Sequence, residues 1–331
     1  MSPQLRQIWK NEYFKTVLAL VLIVLVVLGF FQGLKWVLRT DYPVLAVVST
    51  SMVPTLNVGD LLIVQGTAAK DINASYGTGD IVIFKRDESN PDFRVVHRAV
   101  KKELRTDGYW ITTHGDNNPS ADQSFNEKQL IGKVVARVPY LGNLSLFTQS
   151  QGSVYLFFMI AVVLIIILLI FWNTGSENEK GGEEPKKKKK LFGKLSYEAV
   201  IFTVINVLLI CFIIFNLWGA FTFWQPGAAE GSQNVTIRGM YTDLQYHFND
   251  PNIKRPYNNI SEASLLQGFF TYKIDSIANG VPRSGVLTFS WFQFSILLLV
   301  VFDVWELIGL SKVKRAAKTS KLELSQACSP D

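Results

Sequence analysis

Three short segments in the first half of the chain contain the residue types of a nucleophilic hydrolase. Ser51 lies in the run Ser-Thr-Ser-Met-Val-Pro-Thr-Leu, which follows an apolar stretch and contains a proline. His97 lies in a predicted strand, and two carboxylates six residues apart, Asp116 and Asp122, follow it. A serine becomes a nucleophile when a base lies within hydrogen-bonding distance and a third group orients that base. The set therefore fits triad chemistry, which is recognised by roles and not by chain order.

The elements that must position these residues are short predicted strands. Runs of β-branched and aromatic residues alternate with turn signals, among them three Gly-Asp pairs. The predicted strands are 44–48, 61–65, 81–85, 93–100, 109–113 and 130–138. Six short strands in this length of chain predict a small all-β domain of the sandwich or barrel type.

Apolar blocks on either side of this segment predict a membrane protein. Hydrophobic residues make up 48% of the 331 residues, and charged residues only 18%. About 20 apolar residues cross the hydrocarbon core of a bilayer. Four blocks reach that length, and we interpret them as transmembrane helices at 16–38, 154–172, 197–223 and 287–310.

The distribution of basic residues predicts the orientation of these four spans. Residues 1–15, 173–196 and 311–331 carry three, seven and five Lys/Arg, so all three are predicted to be cytoplasmic. Residues 39–153 and 224–286 then face outward as the catalytic domain and a second, smaller outer domain. The fold of that second domain stays open, apart from predicted strands at 234–238 and 269–274. All four Asn-x-Ser/Thr sequons fall in the outward segments: Asn73, Asn143, Asn234 and Asn259.

The order and spacing of the motifs resemble those of the signal peptidase I family. Ser-x-Ser-Met-x-Pro-Thr-Leu is followed by Gly79-Asp80 before a strand, then by Val-His-Arg, then by Gly-Asp-Asn-Asn. Bacterial members of the family place a lysine base where this chain has His97. The chain therefore resembles the archaeal and endoplasmic-reticulum branch, which uses a histidine. The resemblance covers about residues 16–138.

The resemblance implies a role for each matching residue. Ser51 would be the nucleophile, His97 the general base and Asp122 the residue that orients the imidazole. Asp116 would support the site, and Ser49 would donate its hydroxyl to the oxyanion hole, to which the backbone N–H of Ser51 also contributes. Small pockets for the substrate would be built from residues 44–48 and 81–84.

One departure from the family pattern leaves a rival base. His114 stands directly before Gly115-Asp116, where the family pattern has a lysine. His97 occupies the matching motif and is favoured. The third histidine, His247, is interpreted as an ordinary surface residue.

The implied function is removal of signal peptides by a serine endopeptidase, without a cofactor or metal ion. Its partners would be the signal peptides of secretory pre-proteins, the lipid bilayer and, as a candidate, the protein translocation machinery. It would lie in the cell membrane, or in the endoplasmic-reticulum membrane of a eukaryote, with the site on the extracytoplasmic side. The net charge of +6 is nearly matched by the run Lys186 to Lys190 beside a predicted span, which favours lipid contact over nucleic acid.

Two other functions are compatible with the sequence. A catalytically weak homologue could serve as a scaffold or chaperone for exported proteins, although Ser51, His97 and Asp122 are all present. The second half could also form a transporter or lipid-binding module, although none of the four predicted spans contains a proline. Residues 197–331 would form an accessory module that positions signal peptides or binds partner proteins, or a module that only stabilises the membrane assembly.

Overall fold

The computed structural model describes residues 12–87, 90–150, 190–192, 195–224, 234–248 and 260–327. Five α-helices lie in these ranges: α1 Glu12–Leu38, α2 Asn143–Ser150, α3 Tyr197–Trp218, α4 Met240–His247 and α5 Trp291–Ala327. The predicted span at 154–172 and nearly all of the basic linker lie outside the described residues.

Fifteen strands accompany these helices. They are β1 Val44–Ala46, β2 Leu61–Gln65, β3 Ile81–Asp87, β4 Asn90–Arg105, β5 Gly108–His114, β6 Phe125–Asn126, β7 Leu130–Val138, β8 Lys190–Phe192, β9 Leu195–Ser196, β10 Ala220–Trp224, β11 Asn234–Arg238, β12 Ile260–Gln267, β13 Thr271–Ala278, β14 Val281–Arg283 and β15 Thr288–Phe289. All six strands predicted for the first outer segment are present. The two predicted in the second correspond to β11 and β13.

Eleven of these strands form one mixed sheet. Its main path runs β12-β13-β15-β7-β3-β4-β5-β6, with β2 paired to β7 and β1, and β14 paired to β13. The β15–β7 pair is parallel, whereas the other pairs in the sheet are antiparallel. Strands from both halves of the chain therefore share a single sheet.

Strand β3 lies at the centre of the hydrophobic core because both of its faces are buried. Successive side chains of a strand point to opposite faces. Ile81 and Ile83 pack on one side with the cluster that contains Met52. Val82 and Phe84 pack on the other with the cluster that contains Ile111 and Phe125. Burying each large apolar side chain contributes about 1.5–3 kcal/mol. Strand β3 is therefore held firmly in the core, and its neighbour β4 is positioned against it.

The prediction of four transmembrane helices is wrong. Within the described part of the chain, two helices are long and apolar enough to cross a membrane, Ala199–Trp218 and Trp291–Gly309. The first predicted span contains a shorter apolar helix, Val24–Leu38. The last two predicted spans were drawn too long, because residues 220–223 and 288–289 belong to strands β10 and β15. Hydropathy alone does not separate an apolar strand from the end of an apolar helix.

The predicted separation of a small β domain from a second outer domain is also wrong. The two segments meet where Thr288 of β15 lies opposite Arg137 of β7. The Arg137 guanidinium donates to Asp60 Oδ2 at 2.9 Å, to Asp243 Oδ2 at 2.5 Å and to Thr288 Oγ1 at 2.7 Å. Arg137 is only 3% exposed. One buried arginine thus binds carboxylates from both halves, a pairing with no local sequence signature.

The sequons differ in their accessibility. Asn73 and Asn234 are exposed, whereas Asn143 at the start of α2 is buried. Asn259 lies outside the described residues. Of the three sequon asparagines that the structure describes, two are therefore accessible.

Candidate active site

The nucleophile candidate Ser51 lies in a tight turn after β1. Met52 and Leu56 are 2% and 0% exposed, and the Leu56 N–H donates to the Met52 carbonyl at 2.8 Å. These two apolar side chains anchor the turn in the core. Ser51 itself is left half-buried at its surface, and the Ser49 hydroxyl lies 3.2 Å from the Ser51 hydroxyl.

His97 reaches this turn from β4, where it lies opposite Val82 of β3. Its Nε2 atom is 3.0 Å from Ser51 Oγ, and its Nδ1 atom is 2.5 Å from Asp122 Oδ2. The histidine is 7% exposed. The structure therefore brings together the three residues predicted as nucleophile, base and orienting carboxylate, although they come from separate turns and strands.

Asp122 is fixed by the end of β5. Its backbone N–H donates to the Thr113 carbonyl at 2.7 Å, and the Thr113 hydroxyl donates to its Oδ2 atom at 2.7 Å. Burial by itself would raise the pKa of Asp122. The hydrogen bonds from His97 and Thr113 outweigh burial and hold that pKa below its usual value. Asp122 is therefore an anion at neutral pH.

This arrangement can transfer a proton from a serine. An ionised Asp122 that accepts from Nδ1 leaves Nε2 of His97 free to accept the Ser51 proton. The same carboxylate stabilises the imidazolium that results. Among the residues that the structure describes, no three His, Cys, Asp or Glu side chains converge as metal ligands would.

Asp116 lies behind the triad and ties the nucleophile turn to the base strand. Arg98, next to His97, donates to both of its carboxylate oxygens at 2.9 and 2.7 Å. The Thr55 hydroxyl donates to Oδ2 at 2.6 Å, and the Asp116 N–H contacts Met52 Sδ at 3.5 Å. The Asp116 side chain is 0% exposed. Its place in the structure suits support of the site and not direct contact with the imidazole.

The ionisation of Asp116 makes stability depend on pH. Burial would raise its pKa, but the hydrogen bonds and charge of Arg98 and the Thr55 hydroxyl outweigh burial and lower it. Because the folded-state pKa lies below the unfolded one, the stabilisation is present above about pH 5 and is lost as pH falls through the folded-state pKa.

We therefore expect acid to destabilise the wild type more than Asp116→Asn. The denaturation midpoints of the two chains should differ at pH 7 and converge towards pH 3, because asparagine has no proton to bind in that range. Parallel curves for the two chains would contradict this assignment.

Two residues that were not among the predicted site residues, Asn117 and Gly115, also position the site. The Asn117 N–H donates to the Ser51 carbonyl at 2.8 Å, and its side-chain amide donates to the Thr50 carbonyl at 3.0 Å. A Cβ on Gly115 would lie 2.9 Å from His97 Nε2, so only glycine leaves room for the ring. Both residues belong to the Gly-Asp-Asn-Asn motif, and that motif is the sequence feature from which they could have been predicted.

The rival base His114 is the last residue of β5. Within the described residues, neither Ser51 nor Asp122 makes a hydrogen bond to it. Its ring lies 5.8 Å from the Tyr76 ring. Burial, followed by the positive charge of Arg283, lowers its pKa. The geometry favours His97 as the base.

His247 is not the surface residue predicted from the sequence. It is 4% exposed, at the end of α4. Burial is the main cause that lowers its pKa to about 4. A neutral, buried imidazole beside Asp243 belongs to the packing of the second half of the chain.

One of the two segments predicted to build the substrate pockets is buried in the core. Residues 81–84 of β3 are at most 4% exposed and are committed to the core. Val48, two residues after β1, is 52% exposed and lies beside the nucleophile turn. Of the two segments, only 44–48 offers apolar surface to a bound peptide.

Comparison with known proteins identifies the family. The chain is 29% identical over 151 residues to the signal peptidase complex catalytic subunit SEC11C of Canis lupus familiaris, which is 43% of this chain and 76% of that protein. It is 28% identical to the human SEC11C over the same length. It is 31% identical over 123 residues to SEC11 of Fusarium vanettenii, which is 35% of this chain and 69% of that protein. No protein-family model matches the chain.

The chain belongs to the family of signal peptidase complex catalytic subunits. More than half of its residues lie outside the segment that these relatives match.

Proposed function

We propose that the chain is a serine endopeptidase that removes signal peptides from secretory pre-proteins. The observation that carries the proposal is the continuous hydrogen-bonded path from Ser51 Oγ through His97 to Asp122, with distances of 3.0 and 2.5 Å. Membership in a family of signal peptidase catalytic subunits supports the substrate class.

The first half-reaction forms an acyl-enzyme. Ser51 Oγ attacks the scissile carbonyl carbon while its proton passes to His97 Nε2. The negative charge that develops on the carbonyl oxygen requires nearby donors, and the Ser49 hydroxyl and the Ser51 backbone N–H are the candidates. The intermediate collapses when the C–N bond breaks and the imidazolium protonates the leaving amine of the mature protein.

The second half-reaction releases the signal peptide. Water attacks the ester on Ser51 while His97 accepts a proton from it, and the Ser51 oxygen then leaves and is reprotonated. Asp122 stays ionised throughout and stabilises the imidazolium in both steps. Helices α3 and α5 are long and apolar enough to hold this site beside a membrane that carries the substrate.

Cleavage of a purified pre-protein tests the proposal. The wild type should release a mature product with one new N terminus, whereas Ser51→Ala should release none above background. Ser145→Ala is the matched control, because it removes a serine hydroxyl away from the triad. Equal cleavage by Ser51→Ala and the wild type would exclude Ser51 as the nucleophile. A wild type without activity would favour the scaffold alternative.

A further inference from the structure

Asp116 receives a second arginine from the far end of the chain. Arg283 of β14 donates from Nη1 to Asp116 Oδ1 at 3.4 Å, and it is 8% exposed. Its guanidinium lies over the Tyr76 ring at 4.9 Å from the centroid, and its Nη2 donates to the Tyr76 hydroxyl at 3.4 Å. A residue of the second half thus reaches the carboxylate cluster behind the triad.

The backbone holds Arg283 at this position. Arg283 pairs with Ser276 of β13 in the sheet, and the Ser284 N–H donates to the Gly77 carbonyl at 3.0 Å. Gly77 has a φ of +80°, and a Cβ there would lie 2.4 Å from the Pro282 carbonyl oxygen. Only glycine permits this close approach. Gly77 therefore allows the contact between β14 and the turn before β3.

The contact bears on catalysis through the segment 115–117. Gly115 packs against His97 Nε2, and Asn117 donates to the Ser51 carbonyl. Asp116 lies between them, so its carboxylate fixes the backbone that touches both the base and the nucleophile. Arg98 and Arg283 together surround this carboxylate with two positive charges.

We propose that Arg283 is a positioning residue for the triad, acting through Asp116, and that the second half of the chain is thereby part of the catalytic unit. This inference rests on the proposed function, because it assumes that Ser51 and His97 perform the chemistry. Removing Arg283 leaves the Asp116 carboxylate with its hydrogen bonds from Arg98 and Thr55 and without its contact to the second half of the chain. Ser51 Oγ and His97 Nε2 are then held less precisely relative to each other, whereas the residues that contact the substrate do not change.

The test uses the full-length chain with Arg283→Met, Arg283→Lys and the control Arg238→Met. Arg238 also lies over a tyrosine in the second half, 3.8 Å from the Tyr246 centroid, and its guanidinium donates to Asn57 and not to Asp116. Two quantities are measured: kcat and KM for a soluble signal-peptide substrate, and the rate at which a small fluorophosphonate modifies Ser51. The fluorophosphonate reports activation of the nucleophile without needing the peptide-binding surface.

For Arg283→Met we expect kcat and the modification rate to fall together by about 10- to 100-fold, with KM nearly unchanged, as small misplacements of catalytic groups do. Arg283→Lys keeps the charge and should recover part of both rates, and Arg238→Met should match the wild type. A folded Arg283→Met or Arg283→Lys chain with wild-type rates overturns the inference. If Ser51 in the wild type is not modified at all, it is the proposed function that fails.

Discussion

His97→Ala is expected to abolish cleavage, whereas His114→Ala should leave kcat near the wild-type value. Of the three histidines, all of which the structure describes, only His97 lies within hydrogen-bonding distance of both Ser51 and Asp122. Removing one member of a coupled triad lowers kcat by about three orders of magnitude or more, and the losses do not add. The double variant Ser51→Ala/His97→Ala should therefore be no worse than either single variant.

The measurement is kcat on a pre-protein, with the denaturation midpoint of each variant recorded beside it. If His114→Ala is inactive although folded, and His97→Ala is active, the base has been assigned to the wrong histidine.

Arg137→Met should cause a large loss of stability. The substitution leaves Asp60 and Asp243, which are 3% and 2% exposed, buried without the cation that they share. Breaking a buried ion pair by removing one partner typically costs about 3–5 kcal/mol. Since the two carboxylates come from different halves, the loss should separate the halves of the sheet.

A matched control exists on the same strand. Lys133 of β7 pairs with Asp80 at 3.3 Å, and both side chains are partly exposed. Lys133→Met should therefore cost about 1 kcal/mol or less. Adding Asp60→Asn and Asp243→Asn to Arg137→Met should recover part of the loss, because amides carry no buried charge. Equal denaturation midpoints for Arg137→Met and Lys133→Met would contradict the assigned importance of the buried cluster.

Local patterns were sufficient to predict eight of the fifteen described strands and the segments that carry Ser51, His97 and Asp122. Alternation and turn residues mark β2 and β7 at their observed bounds, and the motif order groups Ser51, His97 and Asp122. The first signal depends only on residues that are close along the chain. The second matches a spacing already known from a family. The motif match favoured His97 over His114, and the hydrogen bonds of His97 to Ser51 and Asp122 agree with that choice.

Long-range contacts account for what the sequence did not predict. The parallel pairing of β15 with β7 joins Thr288 to Arg137 across 151 positions of chain, and no local pattern encodes such a partner. Arg283 likewise stands in a three-residue strand with no motif around it. Two of the four predicted spans were too long, because apolar residues at 220–223 and 288–289 form strands and not helices.

The most direct measurement of the proposed mechanism is to locate the residue that a peptidyl phosphonate modifies in the full-length protein. A phosphonate linked to a signal-peptide sequence should form one adduct, found by mass spectrometry on the peptide that contains Ser51. Excess signal peptide should slow its formation, and His97→Ala should nearly abolish it. An adduct on another residue, or equal modification of the Ser51→Ala chain, would contradict a mechanism in which Ser51 attacks the signal-peptide bond.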